Sequence, residues 1–354
     1  MQYITCTYNI TIKTQKEQLS MPKMQKEFSD FHDSIKLGTY DENKTLREKR
    51  DILIDELKNG LKDEKIPGTN KSLTFLPFGQ GSYAMNTGIN PPDNDYDIDV
   101  GIVFDINNNE YDPVKLKKLI RDKLTRSNRT IQIRRPCITV KYADGYHVDL
   151  AVYADNLGDY HIAWGKEFSS DNSWEKSEPK KLIDWVNNIS SDTKQRAQYR
   201  RCVRYLKAWK ENQFSTNGNA MPPSIGLTIQ AGYGFSYHAD NDLDTLIGIV
   251  NEIRNSFFDK FHEETSTMKK SIMARLPVAP YSDIYQKMTL IQTNFFYDKI
   301  DGMLEALETA RDEEDANKAS MILRRVFGDK FPLVEKETAR VSAVAPFVTT
   351  GNNA

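Results

Sequence analysis

The spacing of hydrophobic positions changes twice along this chain of 354 residues. From residues 21 to 38 and 42 to 65, apolar residues recur every three or four positions, which predicts two amphipathic helices. Between residues 68 and 158 the pattern alternates with a period of two and is rich in β-branched residues, which predicts strands. After about residue 160 helical spacing dominates. We therefore expect a mixed sheet flanked by helices, an α+β fold.

The alternating region divides into four predicted strands. A helix is predicted between the second and third strands, beginning at Asp112-Pro113, because proline is tolerated at the first helical position. The turn Asp144-Gly145 separates the last two strands. The strand segments are SLTFLPFG (72–79), DIDVGIVF (97–104), IQIRRPCITVKYA (131–143) and HVDLAVYA (147–154).

Three aspartates on these strands are the candidate catalytic and metal-binding residues. Asp97 and Asp99 lie two residues apart, so their side chains share one strand face, with α-carbons about 6.6 Å apart. The apolar residues of the same strand then face the core. The same alternation places Asp149 on the face of its strand that points away from the hydrophobic core. If the two strands pair side by side, the three carboxylates converge.

Converging carboxylates repel one another unless a cation lies between them. Oxygen ligands alone suit Mg²⁺ or Mn²⁺, which also bind phosphate oxygens and water. Two such ions, about 3.5–4 Å apart, would activate a hydroxyl and stabilise a leaving pyrophosphate. The alternatives for an isolated Asp-x-Asp pair are a solvated acidic surface and a structural calcium site.

A glycine-serine turn, Gly79-Gln80-Gly81-Ser82, follows the first predicted strand. Its glycines let backbone N–H groups approach an anion closely, and Ser82 adds a hydroxyl donor. A phosphate held by this turn and bridged to metal ions on the aspartates indicates phosphoryl or nucleotidyl transfer.

Composition narrows the class of protein. The sequence has 39% hydrophobic and 28% charged residues and a net charge of −2, so it is not broadly basic as many nucleic-acid-binding proteins are. No apolar run approaches the length of a membrane span, and no signal peptide is evident. The three cysteines, Cys6, Cys137 and Cys202, and the five histidines are dispersed, which argues against disulfides and zinc. A cytoplasmic protein is expected.

The motif set resembles the cGAS/DncV-like nucleotidyltransferases, a family with a polymerase-β-like core and a Gly-Ser turn followed by Asp-x-Asp. Within that family it is most similar to the DncV-type bacterial cyclic dinucleotide synthases. Further segments carry the resemblance, which covers roughly residues 21–335: EPKKLIDWVNN (178–188), RRCVRYLKAWKENQF (200–214), MPPSIGL (221–227) and LPVAPYSDIYQKM (276–288).

The resemblance implies a division into four parts. These are a poorly ordered lead-in (1–20), a nucleotidyltransferase core with N-terminal helices (21–160), a mainly helical lobe that closes the nucleotide cleft (161–335) and a flexible tail (336–354). Met21 is an alternative start. The insert at 155–177 is shorter than in DncV-type chains, which leaves the product open.

The resemblance also implies roles for single residues. Asp97, Asp99 and Asp149 match the metal-binding acids. Gly81 and Ser82 match the phosphate-binding turn. Lys207 matches a lysine that contacts the donor triphosphate, and Ser224 a nearby polar contact. Gln80 is expected to contact the nucleotide or a residue that holds it.

The helix of Lys207 adds an argument of its own. Arg196, Arg200, Arg204 and Lys207 form one stripe at helical spacing, which would present cations to a cleft. A solvated basic face is the alternative.

The implied activity is synthesis of a cyclic oligonucleotide, most simply a cyclic dinucleotide such as cyclic GMP-AMP, from two nucleoside triphosphates (ATP, GTP or UTP) with two Mg²⁺ or Mn²⁺ ions. The product would reach a downstream effector in antiphage defence. The C-terminal tail is a candidate for conjugation by ubiquitin-like machinery. No zinc-binding His-Cys cluster is present in the sequence, so activation by DNA is not expected. Alternatives are linear oligonucleotide synthesis, nucleotidylation of tRNA or protein, and a non-catalytic nucleotide-binding module.

Overall fold

The computed structural model describes residues 24–38, 41–90, 96–214, 221–263 and 265–336. The predicted lead-in, the alternative start at Met21, Cys6 and nearly all of the predicted tail lie outside the described residues.

A mixed seven-stranded sheet forms the centre of the molecule, with strand order β1-β2-β5-β4-β3; β6 pairs with β5, and β7 pairs with β6. The β2–β5 pairing is parallel, and the other pairings of this sheet are antiparallel. The predicted α+β architecture is confirmed. The strands are β1 (Phe75–Gly79), β2 (Tyr96–Phe104), β3 (Arg129–Ile133), β4 (Ile138–Tyr142), β5 (Tyr146–Asn156), β6 (Asp159–Gly165) and β7 (Asn172–Lys176).

One face of the sheet is covered by two helices, α2 (Asp41–Gly60) and α4 (Pro113–Leu124). The alternating apolar residues of β2 and β5 point into this layer, and Ile98, Val148 and Leu150 are at most 1% exposed. Asp112 caps α4, since its Oδ1 accepts the backbone N–H of Lys115 at 2.7 Å. This packing fixes which side chains of β2 and β5 face the other way.

A second hydrophobic core joins the remaining long helices, and aromatic residues such as Phe28, Tyr205, Trp209 and Phe331 are fully buried in it. Helix α1 packs here rather than with the sheet. The helices outside the sheet layer are α1 (Gln25–Ile35), α3 (Gly81–Ala84), α5 (Pro179–Asn187), α6 (Thr193–Gln213), α7 (Ser224–Tyr233), α8 (Asp242–Asn255), α9 (Leu290–Asp312) and α10 (Ala316–Phe327). A hairpin of β8 (Phe257–His262) and β9 (Thr267–Ile272) packs beside α9.

Two expectations about strands were wrong. The segment 131–143 was predicted as one strand, but it forms the end of β3 and all of β4, because Pro136 supplies no N–H to a ladder and the Arg134 N–H closes the turn on the Cys137 carbonyl at 2.9 Å. Strand signals were also expected to fade after residue 160, yet four strands, β6 to β9, lie wholly or mainly beyond it. The sheet thus extends to Lys176, past the predicted domain boundary, and the four-part division stays a prediction.

None of the helices in the described ranges combines the length and the apolar character that crossing a membrane requires.

Candidate active site

The register of the parallel β2–β5 pair brings the three predicted acids together. Asp99 lies directly opposite Asp149, and Asp97 lies opposite His147. Residues directly opposite on neighbouring strands have side chains on the same face, with backbones about 4.8 Å apart. All three carboxylates therefore lie on the sheet face away from α2 and α4.

The glycine-serine turn closes directly over Asp99. Gly81 has φ +67, and a Cβ atom at this position would lie 1.7 Å from Asp99 Oδ2. The Gln80 N–H donates to the Asp99 carbonyl at 3.0 Å, which ties the turn to β2. Only glycine satisfies both the left-handed backbone and this approach. The turn and the acid are thus one structural unit.

Lys207 enters the same region from α6. Its side chain is 7% exposed, and its ammonium group donates to the Thr87 carbonyl at 2.9 Å and to Thr87 Oγ1 at 3.2 Å. Burial lowers the pKa of Lys207 to about 7, helped by the nearby Lys210 and Arg204 cations, while Asp97 and Asp99 oppose this shift. A bound anion in this region would therefore favour the protonated, positively charged form of Lys207.

Burial shifts the pKa of Asp99 upwards, opposite to its effect on the pKa of Lys207. It raises the pKa of Asp99 to about 7, with the neighbouring charges of Asp97 and Asp149 adding to the rise and Lys207 opposing it. A carboxyl group perturbed by burial and by like charges inside a cleft is typical of functional sites.

These groups line one cavity of about 550 Å³ between the sheet and the helices. A cavity of this size lies within the range for small-molecule sites. The residues that line it include Gly81, Ser82, Thr87, Asp97, Asp99, Arg134, Thr139, Lys141, His147, Asp149, Lys207 and Ser224.

The acids fit a divalent cation. Asp149 Oδ1 is buried without a hydrogen-bond partner in the described part of the chain, which leaves a carboxylate oxygen for a ligand. Among the described residues, no group of three or more acidic, histidine or cysteine side chains is placed to hold a metal ion by itself. Substrate phosphates and water would therefore have to complete the coordination of Mg²⁺, which proteins usually hold with one or two carboxylates.

The other predicted residues differ in position. Ser82 and Ser224 line the cavity, and Ser224 Oγ accepts a hydrogen bond from Lys210 Nζ at 2.6 Å. Gln80 is not among the lining residues, because its side-chain oxygen accepts the Tyr153 hydroxyl at 3.0 Å. Gln80 therefore connects the turn to Tyr153 of β5 and does not contact the cavity.

The predicted basic stripe on α6 does not enter this cavity as a whole. Arg204 donates to the carbonyls of Gly88 and Asn86, and Arg196 donates to the carbonyls of Ser190 and Ser191. Arg200 donates to Asn187 at 2.9 Å. Of this stripe, only Lys207 lines the cavity. The arginines do not reach the cavity, because loop carbonyls bind Arg196 and Arg204 and the Asn187 side chain binds Arg200.

Sequence reasoning missed four lining residues, Thr87, Arg134, Thr139 and Lys141. Thr139 pairs with Asp149, and Lys141 pairs with His147, on the antiparallel side of β5. Recognition of Pro136 as a strand break would have given this register, since β4 and β5 then form a hairpin around Asp144-Gly145. Thr87 had no such signal, because its position depends on the path after α3.

Comparison with known proteins agrees with this geometry. Residues 77–153 match the family model "Cyclic GMP-AMP synthase DncV-like, nucleotidyltransferase domain". A curated cyclic GMP-AMP synthase of Escherichia albertii is 28% identical over 190 residues, which is 50% of this chain. The matched part spans 42% of that relative's length.

Solved structures match over most of the chain. Vibrio cholerae DncV, a cyclic AMP-GMP synthase solved with the linear intermediate pppA(3′,5′)pG, is 17% identical with a TM-score of 0.66, covering 86% of this chain and 97% of that one. Bradyrhizobium diazoefficiens CdnG, solved with GTP, is 14% identical with a TM-score of 0.64, covering 87% of this chain and 96% of that one. The fold is therefore that of a polymerase-β-like nucleotidyltransferase. The family match at 77–153 includes the glycine-serine turn and all three acids, so the resemblance to the cGAS/DncV-like nucleotidyltransferases is confirmed for that domain.

Proposed function

We propose that this protein is a metal-dependent nucleotidyltransferase that joins two nucleoside triphosphates into a cyclic dinucleotide and releases pyrophosphate. One observation carries the proposal: Asp99 and Asp149 are register neighbours on one sheet face, under the Gly81-Ser82 turn and within the cavity that Lys207 lines. The matched relatives, a cyclic GMP-AMP synthase and a cyclic AMP-GMP synthase, support the same reaction.

The donor triphosphate lies against Ser82 and Lys207. The Ser82 hydroxyl donates a hydrogen bond to a phosphate oxygen, and the Lys207 ammonium group neutralises negative charge. Burial lowers the pKa of Lys207 to about 7, and a bound polyanion would favour its protonated form. Preformed donors of this kind lower the barrier without reorganisation during the reaction.

Asp97, Asp99 and Asp149 would hold two Mg²⁺ or Mn²⁺ ions. The ions would neutralise negative charge and increase the acidity of the attacking hydroxyl. Asp149 lies beside Asp99 and takes the proton of the acceptor's 3′-hydroxyl. The hydroxyl oxygen attacks the α-phosphate of the donor in line, a P–O bond forms, and the bond to pyrophosphate breaks. The linear product then turns round, and the same step closes the ring.

Finer proposals rest on the family resemblance. ATP and GTP are the proposed substrates, since the matched E. albertii relative is a cyclic GMP-AMP synthase. The product would act in the cytoplasm on an effector in antiphage defence, with no requirement for DNA. Conjugation of the C-terminal tail concerns residues outside those described.

The test is product analysis with purified protein, Mg²⁺ or Mn²⁺, and each labelled nucleoside triphosphate alone and in pairs. Phosphatase treatment leaves the chromatographic mobility of a cyclic product unchanged, because a cyclic product has no terminal phosphate to lose. Asp97→Asn combined with Asp99→Asn should abolish pyrophosphate release. Asp105→Asn is the matched control, since Asp105 follows β2 but is exposed and paired with Lys71 at 3.0 Å.

Three outcomes contradict the proposal in different ways. Full activity of the double asparagine variant removes the catalytic role of the acids. A product that loses terminal phosphates to phosphatase, and so changes its chromatographic mobility, indicates a linear oligonucleotide. Label transferred to tRNA or to protein indicates a nucleotidylating enzyme, and nucleotide binding without pyrophosphate release indicates a non-catalytic module.

A further inference from the structure

The active-site cavity has a second positively charged edge. Arg134, the first residue of the turn that leads from β3 to β4, and Lys141 on β4 both line it. Lys141 pairs with His147, which pairs with Asp97, so Lys141 lies two strands, about 10 Å, from Asp97 and one strand from β5, which carries Asp149. β1 and the turn that carries Ser82 lie on the other side of β2. The acids thus lie between two cationic groups.

Within the described residues, the two cations of this edge have no side-chain partner. Neither Arg134 nor Lys141 makes a side-chain hydrogen bond or an ion pair with any residue that the structure describes. Neighbouring cations differ, since Arg135 pairs with Asp171 at 3.4 Å and Lys207 binds Thr87. Cations that line a cavity beside carboxylates are suited to a polyanionic ligand.

A buried lysine holds this edge in place. Lys117 of α4 is fully buried, and its ammonium group donates to the carbonyls of Arg134 and Arg135, each at 2.9 Å, and of Gly165 at 2.6 Å. These bonds tie the β3–β4 turn to α4 and to the end of β6. The backbone that carries Arg134 is therefore preorganised, which reduces the entropic cost of binding.

The reaction needs a second anion site if the acceptor is itself a nucleoside triphosphate. With the donor on Ser82 and Lys207, in-line attack brings the acceptor hydroxyl from the opposite side of the acids. The acceptor's own 5′-phosphates then lie in a cavity that already contains three carboxylates and a second triphosphate. Without additional cations these like charges repel strongly.

We propose that Arg134 and Lys141 bind the 5′-triphosphate of the acceptor nucleotide and so select a free nucleotide over an unphosphorylated hydroxyl. This inference rests on the proposed nucleotidyltransferase function. It assigns the donor phosphates to the Ser82 and Lys207 side and the acceptor phosphates to the β4 side. It also disfavours protein hydroxyls as acceptors.

The test separates the two nucleotides. A 2′,3′-dideoxynucleoside triphosphate has no sugar hydroxyl and serves only as donor, while guanosine, GMP and GTP, and the adenosine series, are compared as acceptors. The wild-type protein should show a KM for the triphosphate acceptor at least about 10-fold below that for the nucleoside, as expected for charge-assisted hydrogen bonds. Arg134→Gln combined with Lys141→Gln should remove most of this difference with little change for the nucleoside. Arg135→Gln is the matched control, as it is adjacent in sequence and lies outside the cavity.

Several results would overturn the inference. One is a wild-type protein that uses guanosine or adenosine as well as the triphosphate. Another is a double variant that loses activity equally with every acceptor, and a third is better use of an oligonucleotide 3′ end than of a free triphosphate. If no acceptor yields product in any variant, the proposed function itself fails, and the inference fails with it.

Discussion

Replacing Gly81 with alanine tests whether the turn and Asp99 form one unit. The added Cβ would meet Asp99 Oδ2 at 1.7 Å, Cγ at 2.5 Å and Cβ at 2.8 Å. Carbon and oxygen atoms in contact normally lie about 3.3–3.6 Å apart, so the carboxylate must move by about 1.5 Å or more. Asp99 cannot follow easily, because the neighbouring residues of β2 are fixed in the core.

The expected loss of stability has two parts. Alanine at φ +67 costs about 1–2 kcal/mol, as for any L-residue in the left-handed region. Forcing Asp99 out of its rotamer adds about 1 kcal/mol. Catalysis should suffer more, since a displacement of about 1 Å in an active site can reduce the rate about 100-fold.

Gly68→Ala is the matched control, since Gly68 has φ +75 and no atom lies within 4 Å of its added Cβ. Denaturant unfolding should show a loss for both variants, whereas pyrophosphate release with Mg²⁺ and nucleoside triphosphates should fall only for Gly81→Ala. If Gly81→Ala keeps a rate within about threefold of wild type, less than 1 kcal/mol in barrier, the proposed unit is refuted.

Three further predictions concern the same site. Lys207→Gln should lower pyrophosphate release about 100-fold through loss of a charged donor, whereas Lys194→Gln, on the exposed start of the same helix, should not. Asp99→Asn should stabilise the protein in metal-free and nucleotide-free buffer. Because the pKa of Asp99 in the folded protein is raised from 3.8 to about 7, the wild-type protein loses stability as the pH rises from about 4 to 7. The stability gained by the variant in thermal unfolding should therefore be absent near pH 4 and reach roughly 1–3 kcal/mol at pH 8. An equal stability difference at both pH values would contradict this prediction. Tyr153→Phe removes the hydrogen bond to Gln80 and should cost about 1 kcal/mol in unfolding free energy with a modest effect on rate; an unchanged unfolding free energy would contradict it.

The sheet could be predicted where one face is apolar and the other polar. Alternation in β2 and β5 turned Ile98 and Val148 inward, and it turned Asp97, Asp99 and Asp149 to the opposite face. The pairing of the two strands did not follow from either strand alone, because it depends on β4 being short enough to form a hairpin with β5.

The rest of the site lacks a local signal. β7, NSWEK, is mostly exposed and polar, so its sequence does not differ from that of a loop. Arg134 lies on the cavity because Lys117, a residue on another element, binds the carbonyls of its turn. Contacts of this kind, between residues far apart in the chain, are invisible to any pattern of period two or 3.6.

The alternation of β5 also makes its register with β2 hard to change. If β5 paired one residue out of register, Val148, Leu150 and Val152 would face water and Asp149 would enter the hydrophobic core. Such a chain could not complete its core. The strand alignment that stabilises the fold is therefore also the alignment that places Asp149 beside Asp99.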